Sequence, residues 1–512
     1  MSIPKVVGIE QEYAINVKPA EELSPFQASC LLVNAYARKA GLREPEMSML
    51  WDYGHETPFQ DIRGALFGRK SGRDITRKED NLLINAILPN GARLYCDHAH
   101  PEYSTPECLS ARDAAACDRA GELILAEAVK LAEETLPETD IKLFKNNVDH
   151  QGRSYGCHEN YLMDARAHQD CFVDNPGKAR RILIPFLVTR QIFAGSGKPG
   201  PSFQISQRAD FMDCLFGLDT MFNRPIINTR QEHHADAKRF RRLHLIVGDS
   251  NMSEFATILK VGTTQIVLQM MEDGFIRADL SLKDPLRAIR QVSAGFDAEI
   301  ELEDGRKTTA LGIQRRFLEL AVEYGLKRDF PHVPELENIL KGWDDTLNGL
   351  GNLKLSADFD LEDDPSDLTK RLDWVLKLWL FNRYRRKKTL PWDHSQLKVL
   401  DLQYHNIDRS EGLFYSLQAR GMAENILCDN EIEAFVCEPP VDTRAWFRGK
   451  CVQKFPLELY LVNWEVVGFD HGDTRRMVPL LNPLKGVRDR FQQAFEQARD
   501  SRELLDIIVK LH

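Results

Sequence analysis

The sequence predicts an α+β fold, and three observations carry that reading. Segments with strand-like alternation cluster in the first half, and helical periodicity dominates the middle. The two do not alternate as they would in a parallel βαβ sheet. The composition of the 512 residues, 43% hydrophobic and 28% charged, is that of an ordinary globular protein. It excludes a disordered chain, a collagen and a coiled-coil rod. From about Glu431 the texture changes to short helices and strands (EIEAFV, DTRAWFRGK, VNWEVVGFD, RRMVPLLNP). That change reads as a small C-terminal domain, 431–512, after a main domain over 1–430.

The elements follow in order. Lys5–Val17 alternates and reads as a strand, and Pro25–Ala40 has helical spacing. Asn81–Pro89 and Ala92–Asp97 read as strands around the turn Asn90-Gly91. Ala111–Leu136 is a long helix with Ser110 as N-cap and Asp113 at the third helical position. Ile141–Asn147 and Ser154–Met163 are strands, and Lys178–Ala194 is apolar on a helical period. Phe203–Gln207, Pro225–Thr229 and Arg242–Val247 are short strands. Met252–Gly274 is a largely apolar helix that should be buried; Asp284–Ser293, Gln314–Tyr324, Pro334–Leu347 and Asp367–Arg385 are further helices. Glu44–Asp80 has no clean period. A loop this long inside a compact domain is uncommon, and such loops tend to be functional or disordered.

Charge and targeting exclude several classes. Lys+Arg 67 against Asp+Glu 77 gives −10, a poor balance for a nucleic-acid binder. No apolar run approaches the roughly 18 residues of a membrane span. MSIPKVVGIEQEY lacks the basic and apolar regions of a signal peptide. The ten cysteines form no CxxC pair. The expectation is a cytoplasmic protein with reduced thiols and neither nucleic-acid nor membrane partners.

Four constellations carry chemistry. In GIEQEY, Glu10 and Glu12 share one strand face. Two such carboxylates repel unless neutralised, and hard Mg²⁺ uses oxygen ligands of this kind; a solvated strand face is the alternative. In RLYCDHAHPEYSTPE, Arg93, Tyr95 and Asp97 share a face, followed by His98, His100, Glu102 and Glu107. The carboxylate-rich setting favours Mg²⁺ over zinc, and the two histidines read as capping and bonding the loop. In KNNVDHQGRSYGCHENYLM, His158 and Asn160 share a strand face behind a turn at Gln151-Gly152. Cys157 beside His158 invites a thiol-nucleophile reading, but strand neighbours point to opposite faces. Last comes a basic set, Arg208, Arg230, Arg241, Arg242 and His244. Arginine forks suit phosphoryl oxygens, although each alone also fits a surface ion pair. No GxxxxGK[ST] or GxGxxG is present, so a nucleotide would not sit on a P-loop or Rossmann turn.

The ordered runs GIEQEY, NGARLYCDHAHPEYSTPEC, KNNVDHQGRSYGCHENYLM, INTRQEHHADA, RRLHLIVGDSN and DTRAWFRG resemble the bacterial Pup deamidases/depupylases (Dop). With the Pup ligases (PafA), these form one group of glutamine-synthetase-like carboxylate–amine ligases. The resemblance runs from Val6 to about Arg448. It implies a curved antiparallel β-sheet cradle backed by helices over 1–430, with the small C-terminal domain following. It implies ATP and Mg²⁺ at the closed end of the cradle. It also implies a groove for the C-terminal residue of Pup, a small disordered protein modifier, or of a Pup-like relative. By matching motif, Glu10, Glu12, Tyr95, Glu102, His158 and His244 would be metal or phosphate ligands. Asp97 would be the catalytic carboxylate. Arg93, Thr105, Arg208, Arg230 and Trp446 would contact ATP.

Two features choose between the siblings. The DHAHPEY spacing resembles depupylases, whereas ligases carry one residue more, as in DVGSHPEY. The segment 44–80, with WDYGHETPFQDIRG, resembles the loop that depupylases insert after the first helix. Gln11, Ala14 and the stretch from about Leu282 to Pro391 depart from the family pattern, which leaves the modifier's own sequence open. The expected activity is an ATP- and Mg²⁺-dependent deamidase and isopeptidase acting, as a monomer, on the modifier and its lysine conjugates. The alternatives are a Pup ligase and a silent binder of the modifier; the intact Glu10, Asp97 and Glu102 argue against silence.

Overall fold

The first strand, Val7–Glu12, owes its place to alternation: Val7, Ile9 and Gln11 are buried, while Gly8, Glu10 and Glu12 are partly open. In the computed structural model of the protein, it lies fourth in an eight-stranded sheet. The order is Asn85–Ile87, Arg93–Asp97, His100–Ser104, Val7–Glu12, Cys157–Asp164, Phe240–Leu245, Pro225–Asn228, Cys214–Gly217. Neighbours are antiparallel except the last pair, which is parallel. The structure describes residues 2–19, 23–42, 49–53, 78–149, 151–220, 222–328, 330, 332–355, 359, 361 and 366–510.

An antiparallel sheet can bury one face and leave the other free. Here Val7, Ile9, Tyr161, Met163, Leu243 and Leu245 join one apolar cluster with Leu183, Val261 and Ile266 of the helices Pro176–Thr189 and Glu254–Glu272. The helices start where their caps allow. Ser110 accepts from Asp113 N at the head of Ala111–Thr135, and Ser253 from Ala256 N at the head of Glu254–Glu272. The latter is buried, as its composition predicts.

The structure differs from the sequence reading at several elements, each for a tertiary reason. Lys5–Val17 is two strands: Val7–Glu12 stays in the main sheet, while Ala14–Lys18 pairs with Asp140–Phe144. Tyr13 N donates to Pro101 O, and Pro101 has no N–H to continue the ladder. Asn81–Pro89 is a helix, Lys78–Ile84, before the short strand Asn85–Ile87. Asn34 Nδ2 donates to Leu83 O, and the Asn81 side chain pairs with the backbone of Trp51. Phe203–Gln207 contains no strand. The Asp249 carboxylate gathers the N–H groups of Ser196, Gln207 and Arg208, so this backbone bonds to a side chain. Lys178–Ala194 and Asp367–Arg385 are each two consecutive helices.

Most of Glu44–Asp80 lies outside the described residues. Of the remainder, Leu50–Trp51 adds in parallel to the C-terminal sheet, ordered Arg475–Pro479, Val466–Asp470, Leu459–Val462, Leu50–Trp51. C-terminal residues Phe447, Phe469, Phe495 and Leu504 share one apolar cluster with Tyr13, Leu32, Leu94 and Leu143. No helix among the described residues is long and apolar enough to cross a membrane.

Candidate active site

The free face of the first strand carries the site, and cross-strand register sets its rows. Glu12 lies opposite Glu102, which lies opposite Tyr95. Glu10 lies between Ser104 and His158. His244 lies opposite Asn160, which lies opposite Gly8. Opposed residues of an antiparallel pair share a face. Carboxylates, imidazoles and a phenol from distant parts of the chain therefore converge.

Glu10 is a hub. Its Oε2 is 3.2 Å from His158 Nδ1 and 3.5 Å from His244 Nε2. Its Oε1 accepts from Asn160 Nδ2 at 2.8 Å and lies 3.5 Å from Arg242 Nη1. Arg242 is itself tied to Glu232 at 2.7 Å. Beside this group, Glu12, Asp97 and Glu102 each offer an oxygen, all within 4.8 Å of one another. Asp97 ends its strand half-exposed, with Oδ2 2.9 Å from His98 Nδ1. His100 Nδ1 is 3.5 Å from Glu12 Oε2 and its ring packs on Tyr155, so both histidines hold the loop, as expected. Cys157 points into the apolar core, away from His158.

The electrostatics call for a cation. Burial, then the Asp97, Glu12 and Glu10 carboxylates, push the Glu102 carboxyl well above its usual range. Burial and Glu102 likewise raise the Tyr95 phenol. Burial opposes ionisation of Glu12, but the His100 hydrogen bond and the nearby His158 outweigh it and bring the carboxyl to about 2. Burial and then Arg242 push His244 down to about 3, so its ring is neutral. Its Nδ1 has no hydrogen-bond partner among the described residues, and its Nε2 meets only Glu10 Oε2, at the long distance of 3.5 Å. Crowded carboxylates with a buried, neutral imidazole facing one of them fit a divalent cation, and the preponderance of oxygen fits Mg²⁺.

Next to Glu10 opens a pocket of about 90 Å³. Gly8, Thr105, Asn160, His234, Arg444 and Trp464 are among its walls. Thr105 Oγ1 accepts from Ile9 N at 3.0 Å, which leaves its O–H proton to donate. Trp464 meets Trp51 edge-on at 5.3 Å and covers Arg448. Glu107, also in the wall, is clamped by Arg444 and Arg448. The apolar wall and the donors around it fit a nucleotide.

The structure does not bring every expected ATP contact here. Trp446 lies in the C-terminal apolar core, 5.3 Å from the Phe495 ring; the pocket's tryptophan is Trp464. Arg93 lies between the Trp51 and Tyr95 rings, 3.9 Å from each, and donates to Asn85, so it braces Tyr95. Arg208 and Arg230 lie beyond the pocket, toward Glu12 and His98 respectively. Sequence reasoning missed Asn160 and Trp464 as site residues, and also Arg224, which joins Arg208 near Glu12. Asn160 was legible from its strand face; nothing in VNWEVV marks Trp464 as other than core.

Comparison with known proteins identifies the family. The family model described as "Pup-ligase protein" matches residues 5–468. A protein of Acidothermus cellulolyticus named depupylase is 42% identical over 98% of both chains. A Pup deamidase/depupylase of Mycolicibacterium smegmatis is 37% identical over 98% of this chain and 99% of its own. A Pup–protein ligase of Acidimicrobium ferrooxidans is 42% identical over 79% of this chain and 88% of its own. Among solved structures, the Pup ligase PafA in complex with Pup superposes with a TM-score of 0.77 at 30% identity, over 99% of this chain and 95% of that one. PafA in complex with ADP gives 0.71 at 32% identity, over 85% and 97%. A sheet whose rows assemble these carboxylates, matched along nearly its whole length by such relatives, places the chain in the Pup-ligase protein family.

Proposed function

We propose that this protein is an ATP- and Mg²⁺-dependent amidohydrolase that deamidates the C-terminal glutamine of a Pup-like modifier and cleaves its isopeptide bond to lysine. The observation that carries the hydrolase reading is extent. In sequence the depupylases align over 98% of this chain and the ligase over 79%, at equal best identity of 42%, while the PafA fold superposes over 99%, so the distinction lies in sequence and not in fold. The DHAHPEY spacing supports the same choice. Action as a monomer in the cytoplasm, and a division near residue 430, belong to this reading.

On this reading Glu10, Glu12, Tyr95, Glu102, His158 and His244 hold the metal. Thr105 and Trp464 hold the nucleotide, with Arg208 and Arg230 toward its phosphates. When bound, metal and nucleotide supply fixed charge that polarises the scissile amide. Asp97 acts on that amide, either by attacking its carbon or by taking a proton from the attacking water. His98 keeps Asp97 Oδ2 in place, and the hydrogen bond between them raises the imidazole pKa.

One assay separates the readings. The protein is incubated with ATP and either a Pup–lysine conjugate or free Pup plus a target protein. Loss of conjugate supports the hydrolase, gain of conjugate the ligase, and binding without either a silent homologue.

A further inference from the structure

We propose that Arg224 binds the α-carboxylate of the modifier's C-terminal residue and thereby sets that residue's side chain against Asp97. The inference rests on the amidohydrolase reading above and adds the group that recognises the substrate's terminus.

The motive is an exception to how this protein treats buried arginine. Arg190 pairs with Glu159, Arg119 with Glu122, Arg242 with Glu232 and Arg448 with Glu107. Arg208, Arg224 and Arg230 are different, because among the described residues their guanidinium groups hydrogen-bond only to backbone carbonyls, with the Phe211 ring 5.8 Å from Arg224. Arg208 Nη1 donates to Tyr155 O. Arg224 donates to Thr220 O and Ser154 O, both at 2.8 Å. Arg230 Nε donates to Leu218 O at 2.9 Å. Asp213 takes the backbone N–H of Arg224, at 3.2 Å, rather than its guanidinium. Guanidinium groups at least half-buried and aimed by neutral carbonyls are poised for an anionic ligand.

Arg208 and Arg224 both lie near Glu12, Arg230 lies toward His98, and burial separates the first two. The nucleotide-type pocket reaches from Val6 to Glu10. Glu12 lies two residues further on, about 7 Å at the usual strand rise, and one segment ties it to Arg224: Ser154 O accepts from Arg224 Nη2 at 2.8 Å and Gly156 O accepts from Glu12 N at 3.1 Å. Arg208 is fully buried, suited to a phosphate chain coming from the pocket, whereas Arg224 is only half-buried and so reachable by a second substrate. The chemistry supplies the anion. Hydrolysis takes place at a side-chain amide, so the terminal residue keeps its α-carboxylate throughout. That charge must approach Glu12, Asp97 and Glu102, which repel it, and Arg224 is the cation left to receive it.

The test uses the full chain with MgATP and a Pup polypeptide ending in glutamine, prepared with a free α-carboxylate and as its α-carboxamide. Ammonia release is the readout. The parent should prefer the free acid by at least tenfold in KM. Arg224→Gln should raise KM for the acid to the level of the carboxamide, leave the carboxamide KM unchanged and keep kcat within about twofold. Arg224→Lys should restore part of the preference. A parent without preference, or an Arg224→Gln variant that keeps it, overturns the proposal. Equal loss on both substrates, or a matching loss of ATP affinity, does so too, and assigns Arg224 to the fold or to the phosphates. No ammonia from either substrate with the parent enzyme would instead remove the amidohydrolase reading, and this inference with it.

Discussion

Asp97→Asn exchanges one oxygen for an amide nitrogen, keeps the size and removes the charge and basicity. Conjugate cleavage should fall by at least about a hundredfold while ATP and modifier affinity hold; a smaller loss would exclude Asp97 as the principal catalytic group. The two tryptophans give a second comparison at this scale. Trp464 forms the pocket wall, so Trp464→Ala should weaken nucleotide affinity by roughly tenfold or more in a direct titration. Trp446 packs on Phe495 inside the apolar core. Trp446→Ala should instead cost about 3–5 kcal/mol of stability and leave the nucleotide affinity of the folded protein unchanged. The reverse pattern would restore Trp446 to the site.

Between elements, Glu107 joins the segment after the strand His100–Ser104 to the helix Arg444–Lys454, where Arg444 and Arg448 both meet its carboxylate. Burial opposes the charge, but Arg448 and Arg444 outweigh it and bring the carboxyl down to about 2. The unfolded value is about 4.3. The contribution is therefore complete above about pH 4.3 and is lost as pH falls through about 2. Glu107→Gln should cost about 3–5 kcal/mol near neutral pH, because two buried arginines lose their partner. In denaturant titrations the gap between parent and variant should narrow steadily from pH 5 to pH 2. A gap independent of pH would show that the clamp acts through packing rather than charge.

For the whole molecule, the reading predicts that nucleotide is required but not spent with each bond. Hydrolysis of an amide in water is already downhill, whereas a ligase must drive amide formation and consume ATP stoichiometrically. ADP released against lysine amine freed, over many turnovers, should give a ratio well below one. A strict one-to-one ratio would sink the hydrolase reading.

Much of the molecule was legible from local chemistry. The α+β class, the capped helices Pro25–Lys39, Ala111–Thr135 and Glu254–Glu272, and the strands around Asn90-Gly91 follow from periodicity, caps and turn residues, which act within a few positions. The shared face of Glu10 and Glu12 follows from the two-residue strand repeat alone. Other features were settled between segments remote in sequence. Pro101 ends a ladder in the strand beside it, Asn34 and Trp51 hold Lys78–Ile84 as a helix, and Asp249 replaces a strand at Phe203–Gln207. The C-terminal sheet accepts Leu50–Trp51 and presents Trp464 to the pocket while Trp446 is buried. Arg224 takes its meaning from hydrogen bonds that, among the described residues, reach only backbone carbonyls, whereas Arg208 was already marked by motif. The sequence by itself determined which residues carry charge and which face of each element they occupy. Only the tertiary structure decided which of those charges find partners, because a partner is a neighbour in space and can lie hundreds of residues away along the chain.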